Sequence, residues 1–296
     1  MANPIPLTPV PAFSLSEPGE QTNPVIFGSP HSGTHYPDTF IEQSRLDPMT
    51  LRSSEDAHVN HLFRHVTEQG SPLISARFPR AYVDLNREPY ELDPRMFSDP
   101  LPPYVNKRSP RVASGLGTIP RIVSDRCEIY RRPLSFSDAQ HRIETIYRPY
   151  HDRLRVLMTD TFARFGIAVL IDCHSMPSKI RGEPMQGRPD IIIGNRFGRS
   201  CASLLTEVAL ESLADLGYKT TLNKPYAGGF ITEHYGKPAA GLHALQLEIN
   251  RALYMDEQTL ELHSGADKLA RDLEILTADI ITESALLERR ISMAAE

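Results

Sequence analysis

The sequence predicts an α/β fold, a single domain in which one mixed sheet is flanked by helices. Strand-like and helix-like segments alternate along the 296 residues. Most of the strand-like segments are apolar runs without strict alternation, which is typical of strands covered on both faces. Internal repeats and low-complexity linkers are absent from the sequence. We therefore expect an N-terminal extension at residues 1–23 and one domain at residues 24–290.

The predicted strands are short and bounded by turn residues. The first, Val25–Phe27, is β-branched and aromatic and lies between Pro24 and Gly28. Four further segments share this character: "PLISARF" at 72–78, "AVLIDC" at 168–173, "DIIIG" at 190–194 and "HALQLEI" at 243–249. Apolar residues recur at helical spacing in the segments that separate them, at about 54–68, 137–164, 198–216 and 256–287.

Neither periodicity holds from about residue 88 to residue 134, where Pro, Gly and Arg are frequent. Long irregular connections inside compact domains tend to be lids or binding loops. At 107–132 seven basic residues accompany only Asp125 and Glu128: Lys107, Arg108, Arg111, Arg121, Arg126, Arg131 and Arg132. This loop is either an ordinary solvated segment or a positive field that steers an anionic substrate.

The net charge and the cysteine content restrict the kinds of partner and site that we expect. The formal net charge is −5, whereas nucleic-acid and anionic-membrane binders usually have a basic surface. Cys127, Cys173 and Cys201 are far apart and never form C-x-x-C, so we expect no disulfide framework and no thiolate zinc site. The sequence shows neither an export signal nor a membrane span. We expect a cytoplasmic protein with a small-molecule anionic partner, and neither nucleic acid nor membrane.

Polar residues lie at the ends of four strand-like segments, three of them the strands given above and the fourth "AYVDL" at 81–85. His31 lies in "SPHSGTHYP" after the first strand, Asn86 and Arg87 follow "AYVDL", His174 lies in "IDCHS", and Glu248 lies in "LQLEIN". Strand ends of open α/β sheets line the ligand crevice. We therefore expect these side chains to converge on one site.

Two histidines and a carboxylate form a common catalytic zinc site. His31 and His174 would supply the imidazoles, and Glu55 or Asp56 in "SSED" would supply the carboxylate. The alternative is a capping box, because Ser53 and Asp56 have the spacing of one and acids favour the first helical turn without any metal.

Glu248 is an acid in an otherwise apolar strand, so we expect it to have a cation, a metal or a water as its neighbour. It would act as a general base near an activated water, or it would form a buried salt bridge to Arg251. Arg87 would bind a carboxylate bidentately with help from Asn86, or it would pair with Glu88 or Asp84.

Two other kinds of site are weaker. His58, His61 and His65 share a helical face in "HVNHLFRH", but H-E-x-x-H is absent, and we expect surface histidines. Ser32 and Ser175 each adjoin a histidine without G-x-S-x-G, and adjacent residues of an extended chain point in opposite directions. A serine hydrolase is therefore disfavoured.

The assembled motifs resemble the N-formylglutamate amidohydrolase (deformylase) family of histidine degradation. The resemblance runs over roughly residues 24–260 and is carried, in order, by "SPHSGTHYPDTF", "RSSEDAHV", "FPRAYVDLNREPYELDPRMF", "GLGTIPRIV", "CHSMPS", "RPDIIIGNRFG", "NKPYAGGFITEHYGKP" and "HALQLEINRALYMDE". It implies an α/β fold like that of zinc carboxypeptidases and aspartoacylase, of the phosphorylase/hydrolase-like type, with one Zn²⁺ per chain.

The resemblance also implies roles for particular residues. His31, Asp56 and His174 would be the zinc ligands, with Glu55 as the alternative to Asp56, and Glu248 would be the catalytic glutamate. Asn86 and Arg87 would hold the substrate's α-carboxylate. The remaining substrate-binding residues would be Arg80, Arg121 or another arginine of the 107–132 loop for the second carboxylate, with Gly228 and Gly229 in a mobile flap, "PYAGG".

The implied reaction is zinc-dependent hydrolysis of N-formyl-L-glutamate to formate and L-glutamate. A nearer alternative is a hydrolase of other N-acyl amino acids or small peptides that uses the same metal site. A third possibility, from another class, is a non-catalytic protein that binds small acids.

Overall fold

A computed structural model describes residues 10–123, 127–179 and 188–294. Asp125 and Arg126 of the basic loop lie outside these ranges. Within them the chain forms a seven-stranded sheet in the order β1-β3-β2-β4-β7-β5-β6. The strands are β1 Phe13–Ser16, β2 Val25–Ser29, β3 Leu73–Ala76, β4 Ala168–Met176, β5 Ile191–Gly194, β6 Thr220–Leu222 and β7 Leu242–Asn250.

The sheet is mixed, as predicted. Strands β3, β2, β4 and β7 are parallel to one another, whereas β5 runs antiparallel to β7 and β1 antiparallel to β3. The five strands predicted first are present, but "AYVDL" at 81–85 forms turns rather than a strand. Strands β1 and β6 escaped prediction because both are short and only partly buried. Because β1 belongs to the sheet, the described part of the predicted N-terminal extension packs on the domain.

Each face of the sheet is covered by its own hydrophobic core. In β4, Leu170 packs into the cluster beneath the helices of residues 136–165, while its neighbours Val169 and Ile171 pack into the opposite cluster. All nine residues of β4 are buried. Burial on both faces is the physical reason why the strand sequences do not alternate.

The described helices are α1 Asp38–Gln43, α2 Pro48–Arg52, α3 Val59–Leu62, α4 Pro110–Ala113, α5 Phe136–Arg142, α6 Arg148–Phe165, α7 Ser203–Asp215, α8 Phe230–Tyr235 and α9 Gly265–Ala294. A π-helical turn, Ile143–Tyr147, joins α5 to α6, so the predicted helix at 137–164 is present. None of the helices in the described ranges combines the length and the apolar character needed to cross a membrane.

The helix predicted at 54–68 is shorter and broken. It consists of α3 and a separate 3-10 turn, Arg64–Thr67. His58 has a left-handed backbone, with φ of 64°, and such a residue cannot continue a right-handed helix. Glu55 and Asp56 therefore precede the helix in irregular backbone, which frees their side chains for other contacts.

Candidate active site

Side chains from three parallel strands meet at the carboxyl edge of the sheet. His31 follows β2, and the register of β4 with β7 places His174 directly beside Glu248. All three line a cavity of about 670 Å³. These separate strand ends therefore line one cavity, as expected from the sequence.

The tight turn after β2 fixes His31. A Cβ atom at Gly33 would overlap the carbonyl of Phe78, so only glycine fits at this close approach. The main-chain N–H of Asp56 donates to the carbonyl of His31 over 3.0 Å. This bond holds the two chain segments side by side.

Three ligand atoms converge on one point. Nδ1 of His31 lies 3.3 Å from Oδ2 of Asp56, Nδ1 of His174 lies 3.0 Å from the same oxygen, and the two Nδ1 atoms lie 3.1 Å apart. Ligands about 2.0–2.1 Å from a tetrahedral zinc ion lie about 3.3 Å from one another. This buried group could therefore bind a metal ion.

Two further carboxylates fix the orientation of the imidazoles. Nε2 of His31 lies 2.7 Å from Oδ1 of Asp84, and Nε2 of His174 lies 2.9 Å from Oδ2 of Asp172. A ring N–H donated at each Nε2 leaves both Nδ1 lone pairs facing the Asp56 carboxylate. Three electron pairs then meet with no donor between them, which is the arrangement that a cation completes.

The pKa of His174 also indicates that the centre favours a positive charge. Burial alone would lower the pKa of its imidazole, but the carboxylates of Asp172 and Asp56 raise it well above the usual value. In Asp56, burial would raise the pKa, but the adjacent imidazoles of His174 and His31 hold it well below its usual range. The carboxylates around the centre thus require positive charge.

Glu55 is directed away from the centre. Its carboxylate accepts hydrogen bonds from Arg52, at 2.9 and 3.1 Å, and from the hydroxyl of Tyr36. Asp56, in contrast, offers Oδ2 to the histidines, while Oδ1 accepts from Arg251 over 3.2 Å and from Ser175 over 3.1 Å. The geometry therefore favours Asp56 among the two predicted carboxylates.

Glu248 faces the cavity with little solvent exposure. The alternative salt bridge to Arg251 is wrong, because Arg251 pairs with Asp56. Instead Gln246 donates from Nε2 to Oε1 of Glu248 over 2.8 Å, and its own Oε1 accepts the N–H of Gly229 over 2.8 Å. Burial raises the pKa of Glu248 to about 8, although the neighbouring imidazole of His174 opposes this.

The model of the N-formylglutamate amidohydrolase family matches residues 23–255. The chain belongs to this family. N-formylglutamate deformylases of Pseudomonas putida and Pseudomonas aeruginosa are each 30% identical to it, covering 87% and 79% of this chain and 91% and 83% of their own lengths.

Solved structures agree. The N-formylglutamate amidohydrolase from Ralstonia eutropha JMP134 is 32% identical, with a TM-score of 0.83 over 96% of this chain and 100% of that chain. A gene product of Agrobacterium tumefaciens has the same fold at 18% identity, with a TM-score of 0.68 over 92% of this chain and 95% of that chain. The family resemblance predicted from sequence is confirmed.

Both ends of the Asn86 side-chain amide contact other parts of the protein. Its Nδ2 lies 3.3 Å from Oδ2 of Asp172 and 3.1 Å from Nε2 of His174, and its Oδ1 accepts the N–H of Ile231 over 2.8 Å. These contacts occupy both ends of the amide. Asn86 also lines the cavity, so its role in holding the substrate's carboxylate stays a prediction, while its present contacts brace the strand that carries His174.

The predicted flap is anchored rather than free. Gly228 and Gly229 line the cavity, but a methyl group at Gly229 would overlap the amide of Asn86. The carbonyl of Ala227 accepts the N–H of Arg196 over 2.8 Å. With Gln246 holding the N–H of Gly229, this wall of the cavity is tied to the sheet.

The predicted arginines divide into two groups. Arg80 and Arg87 line the cavity, and Arg80 pairs with Asp84 over 2.9 Å. Arg121 does not line it, because its guanidinium pairs with Asp93 over 3.0 Å and with Glu128 over 2.7 Å. The structure therefore places Arg121 outside the cavity lining, paired with Asp93 from outside the basic loop, and its binding of substrate stays a prediction that these contacts do not support.

The described part of the structure supports neither the histidine cluster nor a serine nucleophile as a second site. Within the described ranges His58, His61 and His65 belong to no metal-binding group. Ser175 bonds to Asp56 and Arg251, and Ser32 bonds to Ser29 over 2.9 Å, so neither hydroxyl is directed at a histidine base.

Sequence reasoning named Asp84 only as a partner of Arg87 and missed its contact with His31, and it missed Asp172 and Gln246 altogether. A signal was present for the last two, because Asp172 lies two residues before His174 in β4 and Gln246 two residues before Glu248 in β7. Residues i and i+2 of a strand share a face. A polar residue at that spacing from a predicted ligand or base is therefore a candidate for orienting it.

A half-buried histidine, His151, supports the segment that carries Asn86, and it makes stability depend on pH. Nε2 of His151 lies 2.8 Å from the carbonyl oxygen of Leu85, and Nδ1 lies 3.0 Å from the Tyr235 hydroxyl. Burial lowers the pKa of His151 to about 4. The unfolded chain, with a histidine pKa near 6.5, therefore binds a proton that the folded chain does not.

We expect this histidine to remove stability progressively as the pH falls from about 6.5 to about 4, by up to about 3 kcal/mol. Urea unfolding of the wild type and of His151→Gln across this range measures the effect, because the other titrating groups are common to both. The difference in unfolding free energy should shrink on acidification. A constant difference would contradict the assignment, and the exposed His141→Gln should follow the wild type.

Proposed function

We propose that this chain hydrolyses N-formyl-L-glutamate to formate and L-glutamate, with one zinc ion held by His31, Asp56 and His174. The supporting observation is the convergence of two Nδ1 atoms and one carboxylate oxygen within 3.0–3.3 Å of one another, beside Glu248. The names of the Pseudomonas relatives supply the substrate. The same resemblance suggests a cytoplasmic role in histidine degradation.

Zinc, Glu248 and Arg87 would each have a different role in the reaction. Zinc would supply Lewis acidity, which polarises a carbonyl and acidifies a water. Glu248, held by Gln246, would accept a proton from the attacking water and deliver it to the amide nitrogen as the C–N bond breaks. Arg87, whose Nε and Nη1 bond to the carbonyls of Leu116 and Asn86 and whose Nη2 lies 3.6 Å from Asp84, would pair with a substrate carboxylate.

The test is formate release from N-formyl-L-glutamate by protein of known metal content, before and after chelation and after zinc is added back. We expect release that stops on chelation and returns with zinc. Release from acetyl or peptide derivatives but not from the formyl compound would favour the wider N-acyl amino acid hydrolase. Binding without release from any of these, by zinc-loaded protein, would favour a small-acid-binding protein.

A further inference from the structure

The cavity holds one arginine whose charge is not matched by a carboxylate. Four arginines line it: Arg80, Arg87, Arg111 and Arg251. Arg80 and Arg87 share Asp84, at 2.9 and 3.6 Å, and Arg251 pairs with Asp56. Among the residues that the structure describes, no carboxylate lies within ion-pair distance of Arg111.

The backbone fixes Arg111 on the cavity wall. It belongs to α4, which Ser109 caps by accepting the N–H of Val112 over 3.0 Å. The carbonyl of Arg111 accepts the N–H of Leu116 over 2.8 Å, and the carbonyl of Leu116 in turn accepts Nε of Arg87 over 2.8 Å. One short turn therefore carries Arg111 and also positions Arg87.

The two guanidinium groups affect each other. Burial lowers the pKa of Arg87, the charge of Asp84 opposes this, and the charges of Arg80 and Arg111 lower it further. Asp84 is also bonded to His31, so a single carboxylate serves two arginines and an imidazole. This side of the cavity therefore has an excess of positive charge that an anionic ligand would balance.

The two carboxylates of an N-acyl glutamate would occupy different depths. The α-carboxylate is next to the carbon that bears the amide, so under the proposed function it would lie near the metal-binding group and Glu248, where Arg87 could reach it. The side-chain carboxylate is farther along the molecule and would extend toward the irregular loop. Leu116, Ile122 and Val123 of that loop also line the cavity and offer apolar contact to the intervening methylene groups.

We propose that Arg111 binds the side-chain carboxylate and thereby sets a preference for dicarboxylic over neutral N-acyl amino acids. The inference rests on the proposed function, and it assigns the second cation that the sequence left open. A charge-assisted hydrogen bond to a carboxylate is about twice as strong as a neutral one. Its loss should therefore be felt by N-formyl-L-glutamate and not by N-formyl-L-glutamine, the neutral compound of nearly the same shape.

The experiment compares kcat/KM for these two substrates in zinc-loaded wild type, Arg111→Gln and Arg111→Lys. We expect the wild type to prefer the glutamate compound. Arg111→Gln should lower kcat/KM for that compound by about 10- to 100-fold and change it little for the glutamine compound, while Arg111→Lys should retain part of the preference. Arg108→Gln, which changes an exposed arginine of the same loop, is the matched control for net charge.

The outcomes separate the inference from the proposed function. An unchanged preference in Arg111→Gln, or an equal loss on both substrates, would overturn the assignment of Arg111 while leaving the hydrolysis intact. A loss of preference in Arg108→Gln equal to that in Arg111→Gln would overturn it too, because the effect would then be one of net charge. Absence of turnover by the zinc-loaded wild type would overturn the proposed function and the inference with it.

Discussion

Glu248→Gln should remove nearly all turnover of N-formyl-L-glutamate and leave the metal-binding group intact. The amide has the size of the carboxylate and still accepts the hydrogen bond from Gln246, but it cannot take up a proton. General acid–base catalysis contributes about 10²- to 10⁴-fold, so we expect kcat to fall by about that factor. Formate release and metal content, measured on the same sample, test both parts of the prediction.

The matched control is Glu233→Gln, which removes an exposed carboxylate that pairs with Arg196 outside the cavity lining. It should retain wild-type turnover. Wild-type turnover by Glu248→Gln would exclude the residue as the base. A fall in zinc content parallel to the fall in rate would show instead that Glu248 contributes to metal binding.

The sheet was predictable because its central strands are buried on both faces. The start of β4, residues 168–171, is apolar at every position, since two covered faces demand uninterrupted apolar side chains. The edge strands β1 and β6 lack that demand, and their residues are half-buried or exposed. The prediction of one helix at 54–68 was wrong for a local reason. The backbone of His58 is left-handed, and hydrophobic periodicity does not reveal this.

The candidate site was predictable where a residue's place in the sheet decides its position. His31, His174 and Glu248 follow from strand ends alone. The contacts of Asn86 and Arg121 do not follow from strand ends, because they depend on partners distant in sequence, Asp172 for the amide and Asp93 for the guanidinium. Polar side chains near a site pair with whichever partner the fold brings, and that partner is visible only in three dimensions.

His174→Gln should remove most zinc binding at the candidate centre and, with it, hydrolysis. The substitution removes one of three converging ligand atoms, and glutamine is not among the usual zinc ligands. Loss of an outer carboxylate partner typically costs about 10- to 100-fold in metal affinity. We therefore expect Asp172→Asn, which removes the charge behind His174, to weaken zinc binding by that factor and His174→Gln to weaken it by more.

The order of these two effects is the informative result, because a purely structural histidine would not produce it. Zinc affinity, measured by competition with a chelator, should fall from wild type to Asp172→Asn to His174→Gln, with formate release falling in the same order. The exposed His61→Gln should match the wild type. Thermal unfolding in chelator shows whether each variant still folds without metal, and a folded His174→Gln that binds zinc as tightly as wild type would refute the proposed centre.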